Sequence, residues 1–217
     1  MSHHCCSHHH PRLPGVDPAR RAVYRHIIWA ALIINLGMFL IEILASVVAS
    51  SAALQADAVD FLGDTANYAI SLFVLGMALR YRATAALIKG VSMGGLGLIV
   101  LGTIVWHLVH ATLPEPVTMS AVGFAALVAN AVVFLLLWAF RSGDANMRSV
   151  WLCSRNDVLG NLGVLLAALG VFGTGRGWPD LIVASAMAVL ALQGAWAVVI
   201  QAAGELRTPQ PHAVPAE

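Results

Sequence analysis

Six apolar runs, each longer than 20 residues, follow one another at approximately 26–49, 53–80, 84–109, 117–140, 148–173 and 178–203. A helix needs about 20 predominantly apolar residues to cross a hydrocarbon layer about 30 Å thick. The pattern predicts an all-α integral membrane protein of six transmembrane helices, joined by short segments that carry the Pro, Arg and Asp residues. Of the 217 residues, 59% are hydrophobic and only 11% charged, against roughly 25% charged in an average soluble domain, which excludes a soluble enzyme. Twelve Lys+Arg against 11 Asp+Glu leave a formal net charge of +1, with no basic field to hold nucleic acid.

The positive charges orient the spans, because cytoplasmic loops retain Lys and Arg. Arg12, Arg20, Arg21 and Arg25 precede the first span. Arg80, Arg82 and Lys89 lie around the second loop, Arg141 and Arg148 flank the fourth span, and Arg207 follows the last. These share one side; only Arg176 lies opposite, and Arg155 falls inside the fifth span, as a counter-ion for the aspartates or with its long stem reaching the inner surface. Both termini are therefore expected in the cytoplasm. The organisation expected is a disordered His/Cys-rich tail (1–25), a six-helix transport domain (26–203) and a short cytoplasmic tail (204–217). The N-terminus has neither an apolar stretch nor a small-residue cleavage site, so the first helix is expected to be its own insertion signal. With no eukaryotic targeting signal, a bacterial inner membrane is the expected setting.

Charged groups at bilayer depth cost about 2.5–3.5 kcal/mol each on insertion scales, so they carry the functional information. The second span holds Asp57, Asp60 and Asp64 within eight residues. Asp60 and Asp64, four apart, share a helical face and can reach one ion; Asp57 either joins them or sits nearer the outer interface. In the fifth span Cys153 and Asp157 repeat the spacing of four. Antiparallel neighbouring helices would bring Asp60, Asp64, Cys153 and Asp157 together as a tetrahedral set. Zn²⁺ accepts both oxygen and sulfur. Against this stand blander readings: a membrane Asp can bond to a polar group on a neighbouring helix, and Cys153 can be a small apolar packing residue.

At these residues the sequence resembles the cation diffusion facilitator family of divalent-metal/proton antiporters, over about residues 26–205. The most specific stretch runs from Asn35 through Phe39, Glu42 and Ser51-Ala-Ala-Leu-Gln-Ala-Asp57 to Asp60-x-x-x-Asp64. The resemblance implies that Asp60 and Asp64 are the second helix's pair of ligands and Asp157 the fifth helix's aspartate. Asn161, Gly163, the turn Thr174–Asp180 and Ala195-Trp196 are similar to family positions. Cys153 stands where the family usually has His or Asp, and the segment between the second and third helices lacks the usual Tyr-Gly and acidic residues. About 14 residues follow the sixth span, so the cytoplasmic metal-binding domain of typical members is expected to be absent.

The implied activity is proton-coupled efflux of Zn²⁺, with Co²⁺ or Cd²⁺ as other cargo, by alternating access. Binding a divalent cation would expel protons held by the crowded carboxylates. No cofactor is expected beyond the transported ion, and homodimerisation through membrane helices is carried from the family. Glu42 is a proton relay or a hydrogen-bonded packing residue. Asn156 and Asn161 are expected to support or pack rather than ligate, and Gly90 and Gly94 to let helices approach closely. His3, His4, Cys5, Cys6, His8, His9 and His10 form an imidazole and thiol cluster suited to unspecific metal capture, although a histidine tag is the plain alternative. Three cysteines, Cys5, Cys6 and Cys153, make no disulfide framework. His107 and His110 either meet a leaving ion or are merely solvated. Two other functions stay open: a metal-sensing membrane protein or channel without proton coupling, and an intramembrane metal-dependent hydrolase, which would need an open coordination position.

Overall fold

The structure, a computed structural model, describes residues 18–73, 79–140 and 145–207, with the side chains of 18–21, 79, 82 and 145–156 outside that description. Six α-helices run in order: α1 (Pro18–Ala49), α2 (Ala52–Phe73), α3 (Leu79–His110), α4 (Pro116–Leu137, followed by a 3-10 turn Trp138–Phe140), α5 (Ala145–Thr174) and α6 (Trp178–Arg207). Five of them contain segments long and apolar enough to cross a membrane. The remaining helix, α2, has 22 residues and spans about 33 Å at the α-helical rise, but Asp57, Asp60 and Asp64 lower its apolarity. The apolar runs thus correspond to helices. Two boundaries differ: the second run, expected to extend to 80, ends as α2 at Phe73 with α3 already begun at Leu79, and α1 begins at Pro18, so residues 18–25, expected in a disordered tail, are helical. Proline fits the first helical position, where its missing N–H costs nothing.

The most extensive packing pairs α3 with α6, α1 with α2 and α4 with α5, while α2 also touches α3, α5 and α6. Close approach of α3 to α6 depends on small residues. A Cβ on Gly90 would lie 2.8 Å from Val199 and 3.3 Å from the Ala195 carbonyl oxygen, and one on Gly94 3.7 Å from the Ala195 methyl group. The helices meet through small, buried side chains such as Ala52, Ala53, Ala58, Ala126, Ala168, Ala184 and Ala188, as expected where van der Waals packing drives association in lipid. Large apolar residues, including Leu44, Val48, Leu108, Leu135, Phe172 and Trp196, project from the bundle.

The turns α1–α2, α3–α4 and α5–α6 gather at one end, where their backbone groups are tied to one another. Helix α1 ends with Ser50 in the left-handed region (φ 50°); its N–H donates to the Val47 carbonyl, and that of Ser51 to the Ser46 carbonyl. This closing pattern favours glycine at the left-handed position. Ala111 (φ 48°) and Gly175 (φ 61°) stand at the ends of α3 and α5. The Glu115 backbone N–H donates to Ala49 at 2.9 Å. Its exposed carboxylate caps α4 by accepting from Val117 and Thr118, bonds that hold this carboxyl below the usual glutamate range.

Asp180, fully buried near the start of α6, clasps the N-terminus of α2. Its carboxylate accepts from the Ser51 hydroxyl at 2.6 Å, the Ala52 N–H at 2.9 Å and the Ala53 N–H at 3.2 Å. The Ser51 hydroxyl oxygen accepts from Leu54 N–H in turn. Three donors and the positive end of a helix dipole stabilise the charge there.

Candidate functional site

Helices α2 and α5 meet in two polar layers, and the chemistry of the layers differs. The first is a cavity of about 400 Å³ lined by Asp60, Asp64 and Asn67 of α2, Asp157 of α5, and Ala56, Gly63, Met93, Gly160 and Met187 among others. Asp64 and Asp157 are within hydrogen-bonding reach of each other, and the Asn67 side chain lies within the same reach of Asp64. Asp64 and Asp157 are buried and Asp60 is half-buried. Among the described residues, no three His, Cys, Asp or Glu side chains converge tightly enough to hold a metal ion; the three aspartates border an open cavity rather than a closed cage. Of the four residues expected to ligate, three line this space. The side chain of Cys153 lies outside the described residues, as do those of Arg155 and Asn156.

The second layer lies about two turns from Asp64 along α2 and one turn from Asp157 along α5, and it is buried. Asp57 accepts hydrogen bonds from Asn161 Nδ2 at 3.1 and 3.4 Å, and Asn161 Oδ1 accepts one from Asn130 of α4 at 2.9 Å. The carboxyl groups of Asp57 and Glu42 of α1 lie within hydrogen-bonding reach. All four residues are buried. Asp57 therefore faces a sealed string of polar groups crossing α1, α2, α5 and α4, not the cavity. The register is that of antiparallel helices: Asp64 meets Asp157, and seven residues back along α2, Asp57 meets Asn161, four residues on along α5.

Two histidines weighed as a pair take separate environments. His110 bonds to the Trp106 carbonyl at 2.9 Å and stacks on the Trp106 ring at 3.8 Å. His107 lines a cavity of about 390 Å³ with Thr112, Arg176 and Trp178. Lys89, counted above among loop charges, instead lies within the apolar span Ala83–His110 of α3, where its ammonium donates to Asn67 Oδ1. Sequence reasoning missed this pair: hydropathy counting assigns a lysine near a span end to the loop, and nothing local points to an asparagine on the preceding helix. The tail residues His3, His4, Cys5, Cys6, His8, His9 and His10 lie outside the described residues.

Residues 28–206 match the cation efflux transmembrane domain. The chain belongs to the cation diffusion facilitator family. It is 29% identical over 220 residues to the zinc transporter ZitB of Escherichia coli strain K12, covering 94% of this chain and 67% of that protein. It is 27% identical over 173 residues to the metal cation efflux system protein CzcD of Cupriavidus metallidurans, covering 74% of this chain and 55% of that one. The cadmium, cobalt and zinc/H(+)-K(+) antiporter of Bacillus subtilis is 24% identical over 191 residues, covering 80% and 60%. The chain thus spans between about half and two thirds of the length of these relatives. Membership in the cation diffusion facilitator family sets it among metal-cation efflux transporters, not enzymes. The matched domain and the apolar helices make it an integral membrane protein, and the relatives it matches are bacterial.

Proposed function

We propose that this protein exports divalent transition-metal cations, Zn²⁺ foremost and Co²⁺ or Cd²⁺ as alternatives, in exchange for protons. The observation that carries this reading is the cavity bordered by Asp60, Asp64 and Asp157, three aspartates on two apolar helices around a space large enough for an ion. Carboxylates are kept at such depth at high cost, and together they can carry either a cation or protons. Asp60, Asp64 and Asp157, with Cys153, are the proposed cargo ligands. The names of the relatives support cargo of this class, zinc in ZitB and cadmium, cobalt and zinc in the Bacillus antiporter.

In this reading all six helices span, with both termini cytoplasmic, and alternating access exposes the cavity to each side in turn. Cytosolic metal displaces protons from the carboxylates and leaves outward as external protons rebind. Glu42 and Asp57 form an auxiliary carboxyl pair beside the site, where a proton can be held, and the His/Cys-rich tail collects metal near the cytosolic entrance. Homodimerisation through membrane helices belongs to the same reading. The test is Zn²⁺, Co²⁺ and Cd²⁺ uptake into proteoliposomes under an imposed pH gradient. Gradient-driven accumulation that disappears in Asp157→Ala is expected; uptake that ignores the gradient contradicts proton coupling, and uptake retained by the variant contradicts the site.

A further inference from the structure

Lys89 is placed where neither the apolar packing of α3 nor a loop charge accounts for it. Its stem lines an apolar cavity of about 430 Å³ between α2 and α3, beside Leu62, Ala66, Ile88 and Met93. A lysine in a span ordinarily sends its ammonium to the aqueous interface. Here the ammonium donates to Asn67 Oδ1, while the same Asn67 side chain lies within hydrogen-bonding reach of Asp64. Asn67 thus bridges the lysine to the carboxylate cavity that it helps to line. The charge of Lys89 acts on Asp60 as well as Asp64.

We infer that Lys89 is a tethered counter-cation of the transport cavity, a specificity-determining residue that sets how tightly the cavity holds a divalent ion. The inference rests on the cargo reading above. With Cys153 as the neutral thiol, the three ionised aspartates carry one negative charge more than a divalent cation neutralises, and Lys89 supplies the remaining positive charge without occupying a coordination position. A net charge in a low-dielectric site is costly, so a loaded cavity balanced by Lys89 is the form that can be occluded and moved. The fixed ammonium also repels the incoming ion, which keeps the cavity from holding cargo too strongly to release it, the balance any conducting or carrying site needs. Asn67 holds the ammonium to one side, leaving the centre of the cavity to the ion.

The test is an equilibrium Zn²⁺ titration of the purified full-length protein, paired with proteoliposome uptake, for the wild type, Lys89→Met, Lys89→Arg and Asp64→Ala. Lys89→Met keeps the apolar stem and removes the charge; it should bind Zn²⁺ about tenfold more tightly and turn over more slowly at saturating ion. Lys89→Arg should stay near wild type, and Asp64→Ala should lose binding. A purely structural lysine would not tighten binding when removed, nor be rescued by arginine. Lys89→Gln provides the same comparison if the methionine variant melts early. Unchanged or weaker binding in the folded, charge-removed variants overturns the inference. A wild type that binds Zn²⁺ without transporting it overturns the transport reading while the affinity comparison still decides the role of Lys89; a wild type that binds no metal overturns both.

Discussion

Asp180 and Asp157 are both buried aspartates on apolar helices, but the chain surrounds them differently. Asp180 meets the Ser51 hydroxyl and two N–H groups at the start of α2, so the protein itself supplies the donors that its charge requires. Asp157 faces Asp64, a second carboxylate, across a cavity of about 400 Å³. The first arrangement fixes a helix end; in the proposed function the second holds charge to be neutralised by an ion that arrives and departs. Burial of an acidic residue in a membrane protein therefore does not by itself mark a transport site. What distinguishes the two is what lies opposite the carboxylate: the donors of a helix end at Asp180, a second carboxylate and a cavity at Asp157.

Breaking each member of this comparison should have a different signature. The largest effect is expected for Asp64→Asn, which keeps the shape but removes a cavity charge: Zn²⁺ uptake should fall by at least a hundredfold while the thermal midpoint of the purified protein stays within a few degrees. Asp180→Ala should do the reverse. Losing three charge-assisted bonds at a buried site should destabilise the fold by about 2–4 kcal/mol, read as a lowered thermal midpoint, with transport per folded molecule retained.

Gly177→Ala sharpens the structural side of the contrast. A Cβ there would lie 2.6 Å from the Thr112 carbonyl oxygen and 3.2 Å from Pro114, a backbone clash at the same end of the bundle as Asp180. The expected cost is about 1–3 kcal/mol, measured by thermal or detergent unfolding, again without a change in metal affinity. The smallest effect has the opposite sign. Ala111 occupies the left-handed region at φ 48°, where glycine carries no Cβ penalty, so Ala111→Gly should stabilise the protein by about 1 kcal/mol and leave uptake unchanged.

Much of the helix framework was legible in the sequence because span length and apolarity constrain a chain so strongly in lipid. Even α2, with three aspartates, stood out by its length and by the runs on either side. The division among those aspartates was less legible. Asp57, Asp60 and Asp64 fall on a similar face of one helix, and periodicity cannot say that Asp57 would meet Asn161 and Glu42 while the other two line a cavity. That depends on the register of α2 against α5, which is set by packing between residues about 100 positions apart. Lys89 escaped for a related reason: its Asn67 partner lies on the preceding helix, and the long stem lets the charge reach it from a position that reads as the end of a span. Asp180 was visible only as part of a turn similar to family positions, because its donors belong to another helix.

The most direct measurement is Zn²⁺ flux into proteoliposomes, normalised to folded protein, for Asp157→Ala and Asp180→Ala side by side. The account predicts that Asp157→Ala abolishes flux in a protein that melts like the wild type, while Asp180→Ala lowers the melting midpoint and keeps the flux of each folded molecule. Flux retained by Asp157→Ala, or lost by folded Asp180→Ala, would contradict the assignment of the cavity as the cargo site and of Asp180 as a structural clasp.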